Sequence, residues 1–98
     1  MDRDAAIAIL RAHAPALRER GISHAALFGS TARGEAHATS DVDVVIDLDD
    51  TLKLDVYGYV GLCHLIADLF PVAVDVVDRK TLKDRVRARI ERDAIPVF

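Results

Sequence analysis

The chain has 98 residues, 51% of them hydrophobic and 30% charged, with a formal net charge of −3. That is enough for one core and not for two, too apolar for a disordered chain, and too acidic for a general nucleic-acid coat. The single cysteine, Cys63, rules out an internal disulfide, 5% aromatics without tryptophan leave no base-stacking surface, and no run after Met1 suits a signal peptide or membrane span.

Residues 4–20 read as helix, because Ile7, Leu10, Ala14 and Leu17 recur at helical spacing. Pro15 is expected to kink or split that helix, and Gly21 to stop it. Residues 24–28, His-Ala-Ala-Leu-Phe, read as a short buried strand ended by Gly29-Ser30. Thr31-Ala32-Arg33 then starts a short helix, and 34–40 is a loop. Over 41–48, Val42, Val44, Ile46 and Leu48 alternate with Asp41, Asp43, Val45 and Asp47, which predicts a strand with one apolar and one acidic face. A long apolar helix is expected from about Thr51 to Phe70, weakened by Gly58 and Gly61 and closed by Pro71. Residues 72–78 form a β-branched strand with Asp75 in its middle. Residues 81–93 form an amphipathic helix on Leu82, Val86 and Ile90, and 95–98 a short edge strand, where proline is tolerated.

Connection lengths set the topology. The strands at 24–28 and 41–48 are joined tightly and should run antiparallel. Those at 41–48 and 72–78 are separated by a helix of crossover length and should run parallel. The fold class expected is α+β, a small mixed β-sheet with helices packed on one face. The acidic face of the sheet then opens on a cleft.

Asp41 and Asp43 are two apart on a strand, so their carboxylates leave the same face, with Cα atoms roughly 6.7 Å apart. Asp75, on the expected neighbouring strand, can project beside them. Three carboxylates on one face repel one another unless a cation lies between them. Oxygen ligands of this kind suit Mg²⁺ or Mn²⁺, and two such ions would stabilise the entering and leaving oxygens of a displacement at phosphorus. By itself, such an acidic strand face is also what a solvated sheet edge looks like. Gly29-Ser30 at a strand end lets the backbone approach a phosphate, with the Ser30 hydroxyl as a further ligand and Arg33 as a nearby cation. Asp47 lies further along the same face and reads as a solvated residue. Cys63 reads as a packing thiol. His13, His24, His37 and His64 lack zinc spacing. The seven basic residues between Arg79 and Arg92 read as a solvated helix face, on which Arg85, Arg89 and Arg92 could meet an acidic partner.

The stretch FGSTARGEAHATSDVDVVIDL resembles the signature of the DNA polymerase β-like nucleotidyltransferase superfamily: Gly-Ser, about ten residues, then Asp-x-Asp. Ala32-Arg33-Gly34-Glu35 and Ser40 resemble the minimal nucleotidyltransferases of bacteria and archaea, and VAVDVVD resembles the strand that carries the third carboxylate, Asp75. The resemblance implies ATP as substrate and two Mg²⁺ ions (or Mn²⁺) as cofactors. It gives Gly29, Ser30 and Arg33 to nucleotide binding, and Asp41, Asp43 and Asp75 to metal binding and catalysis. It assigns no role to Glu35.

Larger members of the superfamily carry extra domains to hold an acceptor. Here a single domain over 1–98 is expected, so the acceptor should come on a partner chain. In similar minimal nucleotidyltransferases the partner is a HEPN-type toxin, and studied relatives transfer AMP to one of its tyrosines and so act as its antitoxin. Two other functions stay open: an antitoxin that works by binding alone, and a small-molecule nucleotidyltransferase with a separate substrate-binding subunit. The expected setting is reduced and cytoplasmic, with no membrane and no direct nucleic-acid contact.

Overall fold

A computed structural model of the chain describes residues 1–35 and 41–98. The loop expected at 34–40 therefore falls mostly outside the described residues, as do His37 and Ser40.

The first helix is split as Pro15 predicts, into α1 (Arg3–Ala12) and α2 (Ala14–Glu19), with Pro15 in the first turn of α2, where its missing N–H costs nothing. Asp2 caps α1 by accepting from the Ala5 N–H at 2.8 Å. Strand β1 (Ile22–Phe28) runs directly into the short helix α3 (Gly29–Arg33), and β2 is Val42–Leu48. The next helix is shorter than expected: α4 spans Val56–Ala67. Its start is set by Asp55, whose carboxylate accepts from the Gly58 N–H at 2.7 Å, and the segment before it is turned by Asp49, which accepts from the Thr51 N–H and hydroxyl. The helix cap at Asp55 and the side-chain turn at Asp49 together outcompete the apolar periodicity. Strand β3 (Val74–Asp78), a 3₁₀ turn (Arg79–Thr81), α5 (Asp84–Asp93) and the edge strand β4 (Ile95–Pro96) complete the chain.

The sheet order is β3-β2-β1-β4. β1 and β2 are antiparallel, β2 and β3 parallel, as the connection lengths imply, and β4 pairs antiparallel to β1. Val42, Val44 and Ile46 are fully buried and form one core with Leu10, Leu17, Leu27, Leu62 and Ile66. This is the expected helical layer: α1, α2 and α4 on the apolar face of the sheet.

Helix α5 departs from that layer. It lies on the reverse face, where Ala26 and Val45, paired in register, are buried outside the main core. Arg79 bonds to both Asp47 of β2 and Glu91 of α5, and Ile90 of α5 borders the same cavity as Phe28 and Gly29. The reason is compositional. With one apolar stripe and seven charged residues, α5 has no fully buried residue and too little apolar surface for the main core. It covers the small Ala26–Val45 patch and anchors itself by ion pairs.

Candidate active site

The site forms where β1 turns into α3. Phe28 is extended and Gly29 follows at φ +67°, in the left-handed region, so the chain reverses within one residue. A Cβ built on Gly29 would collide with the Asp43 carboxylate. The turn therefore lies directly against that carboxylate. Sheet pairing sets the approach, since Phe28 and Asp43 are register partners. Thr31, fully buried in α3, donates its hydroxyl to the Asp41 carbonyl at 3.4 Å and ties the turn to the mouth of β2. The Gly34 N–H closes α3 on the Ser30 and Thr31 carbonyls.

Asp75 is the register partner of Asp43 across the parallel β2–β3 pair, so both carboxylates leave the same face of the sheet. Asp43 is half-buried, while Asp41 and Asp75 are exposed. Burial, then the charges of Asp75 and Asp41, hold the Asp43 carboxyl above the usual carboxylate range, and Arg33 partly offsets them. The three aspartates share one neighbourhood without converging on one point. Among the described residues, no three Asp, Glu, His or Cys side chains are grouped closely enough to hold a metal ion. The donor set nevertheless fits a hard divalent cation. It is all oxygen, and it carries a repulsion that a cation relieves.

Arg33 sits at this site, but not as a free cation. Its guanidinium donates to Glu35 and to Asp93, each at 3.0 Å. Glu35 thus gains a place as a partner of Arg33. Asp93 was not legible from sequence, because it reaches Arg33 from the far end of α5, across 60 positions. Asp47, expected to be solvated, instead accepts from Arg79 Nε at 2.9 Å and borders a separate cavity of about 410 Å³ at the other end of β2. Its carboxylate is taken up by an ion pair and stands apart from the Gly29 turn. A smaller cavity of about 210 Å³ adjoins that turn and is lined by Phe28, Gly29, Arg33, Arg89, Ile90 and Asp93.

The sequence pattern of the nucleotidyltransferase domain family matches residues 10–97. The chain belongs to that family. It is similar to the protein adenylyltransferase MntA of Thermococcus cleftensis, 34% identical over 91% of this chain and 89% of that protein. A solved structure assigned as a minimal nucleotidyltransferase superposes with a TM-score of 0.80 at 30% identity, covering 98% of this chain and 96% of the other. The fold also matches a chain of the complex of a tri-AMPylated HEPN toxin of Shewanella oneidensis with an MNT antitoxin. There the TM-score is 0.66 at 17% identity, over 94% of this chain and 71% of that one, which is a likeness of fold. This nucleotidyltransferase is a minimal member of its family, with the polymerase β-like α+β core. No helix among its described residues is long and apolar enough to cross a membrane.

Proposed function

We propose that this nucleotidyltransferase transfers AMP from ATP to a hydroxyl, most simply a tyrosine, of a HEPN-type toxin and thereby acts as its antitoxin. The observation that carries the reading is the contact of the Gly29 turn with Asp43, beside Asp75 in register. A glycine turn of this kind lets the backbone approach a phosphate, here against a carboxylate pair, which supports the reading. The 34% identical relative named a protein adenylyltransferase supports AMP as the group moved, and the structure of an AMPylated HEPN toxin with an MNT antitoxin supports the partner.

In this reading the backbone at Gly29 and the Ser30 hydroxyl bind the terminal phosphates. Asp41 and Asp43, with Asp75, would hold two Mg²⁺ ions, which supply charge neutralisation and activation of the incoming hydroxyl. Asp43 and Asp75 orient that hydroxyl towards the α-phosphorus and draw off its proton. The new bond forms between the acceptor oxygen and the α-phosphorus, the α–β bridging bond breaks, and pyrophosphate leaves. The partner brings the acceptor in position, which converts the step to an effectively unimolecular one.

The test uses purified partner, ATP and Mg²⁺. Mass spectrometry should show gain of one or more AMP units on a hydroxyl side chain of the partner, lost with Asp43→Asn. Silencing of the partner without a mass change, and equally by Asp43→Asn, would instead identify an antitoxin that acts by binding. The exposed side chains of Val56 and Tyr57 on α4 would serve as a docking face in either case.

A further inference from the structure

A nucleoside triphosphate brings about four negative charges to a site whose own charges are unfavourable. Asp41, Asp43 and Asp75 are all acidic. Arg33, the cation that the sequence motif supplies, is already shared by Glu35 and Asp93, so that cluster is itself net negative. Arg89 is different. It borders the cavity beside Gly29, on the wall that also holds Arg33, and no carboxylate pairs with it among the described residues.

Its position is fixed by the helix that carries it. Arg89 and Asp93 are four apart on α5 and so share a face. Asp93 is bonded to Arg33 at the end of α3, which holds Arg89 one turn away from that contact. Ile90 beside it meets the Phe28–Gly29 turn across the same cavity. Arg89 is exposed and lines that cavity, and a guanidinium offers a planar fork of donors suited to phosphate oxygens.

We propose that Arg89 of α5 binds the terminal phosphates of the nucleoside triphosphate, and the pyrophosphate as it leaves. This rests on the nucleotidyl-transfer reading of the site. It makes α5 part of the nucleotide site, with Arg33–Asp93 as the strut that holds it there.

The test is calorimetric titration of the wild type, Arg89→Ala, Arg89→Gln and Arg89→Lys with ATP in Mg²⁺, with AMP, and with inorganic pyrophosphate. Arg85→Ala, exposed on α5 and away from the cavity, is the control. Arg89→Ala and Arg89→Gln should each weaken ATP and pyrophosphate about tenfold or more. AMP should change less than about twofold, Arg89→Lys should recover part of the loss, and Arg85→Ala should match the wild type. Wild-type ATP affinity in both neutral variants would overturn the assignment of Arg89 and leave the nucleotidyl-transfer reading standing. Equal weakening of ATP and AMP would also overturn it, since a loss that ignores the terminal phosphates is a change of shape. A wild-type protein that binds no nucleotide would overturn both.

Discussion

Gly29 has no room for a side chain, because its backbone is left-handed and the Asp43 carboxylate occupies the place a Cβ would take. Gly29→Ala should therefore cost about 1–3 kcal/mol in backbone strain alone and push Asp43 out of place. Thermal melting should fall and nucleotide transfer should be lost; a variant that melts and transfers like the wild type would show that the close approach is dispensable. Asp43 gives the opposite sign. Its folded-state carboxyl is held above its unfolded value by burial and by Asp75 and Asp41. That group's contribution to stability is fully present below the ordinary carboxylate range and is lost as pH rises through the raised value. Asp43→Asn should thus leave metal-free stability level or higher, with an advantage that grows as pH rises from the ordinary carboxylate range through the raised value, while transfer is abolished. Melting curves in EDTA across that range check it, and a mutant that unfolds would make Asp43 structural. Tyr59 offers an independent marker of packing under α4. Burial, helped by the neighbouring Cys63, pushes its hydroxyl up to about 12. The neutral form's contribution is present below the unfolded value near 10 and lost as pH rises through about 12. Alkaline titration of phenolate absorbance should lose that late step in Tyr59→Phe.

At the scale of elements, the strands were legible and the helices less so. Strand β2 declares itself because one strictly alternating face is apolar and the other acidic, and only a sheet satisfies both. Val45, on the acidic face, is fully buried nonetheless, since α5 lies over it. That placement was hidden because α5 is held by ion pairs of Asp93 to Arg33 and of Glu91 to Arg79, which in turn binds Asp47 of β2. The candidate site was legible where it is local: Gly29, Ser30, Asp41 and Asp43 fall within one motif, and the place of Asp75 beside Asp43 follows from a parallel crossover. The approach of Arg89 and Asp93 to the cavity beside Gly29 depends on tertiary packing that no spacing encodes. Helix α4 makes a sharper case. Its apolar run suggests burial all round, yet only Leu62 and Ile66 are fully buried, while Val56 is 75% and Tyr57 87% exposed. Ile66→Ala should cost about 2–5 kcal/mol in denaturant unfolding. Val56→Ala should stay within about 0.5 kcal/mol. Similar costs at the two positions would mean that both faces of α4 are packed.

At the scale of the whole molecule, α4 leaves part of its apolar surface outside the core. Leu62 is taken by the core, and the free apolar surface of α4 is Val56, Tyr57 and Val60. In a complex with the proposed partner, Tyr57→Ala should weaken association about tenfold or more while the melting temperature of the isolated chain holds. Pull-down or calorimetry with the purified partner reads this directly; unchanged association would move the docking face elsewhere.

The sheet order has a temporal consequence. Gly29 and Asp43 meet through neighbouring antiparallel strands, whereas Asp75 joins only after a helix and its connections have folded back to lay down a parallel edge strand. Closing the longer loop costs more chain entropy before any contact repays it. During refolding, amide protection in β1 and β2 should therefore precede protection in β3. A chain caught between those stages holds the Gly29 turn and two carboxylates but not the third, so the proposed site is completed last, as a by-product of topology.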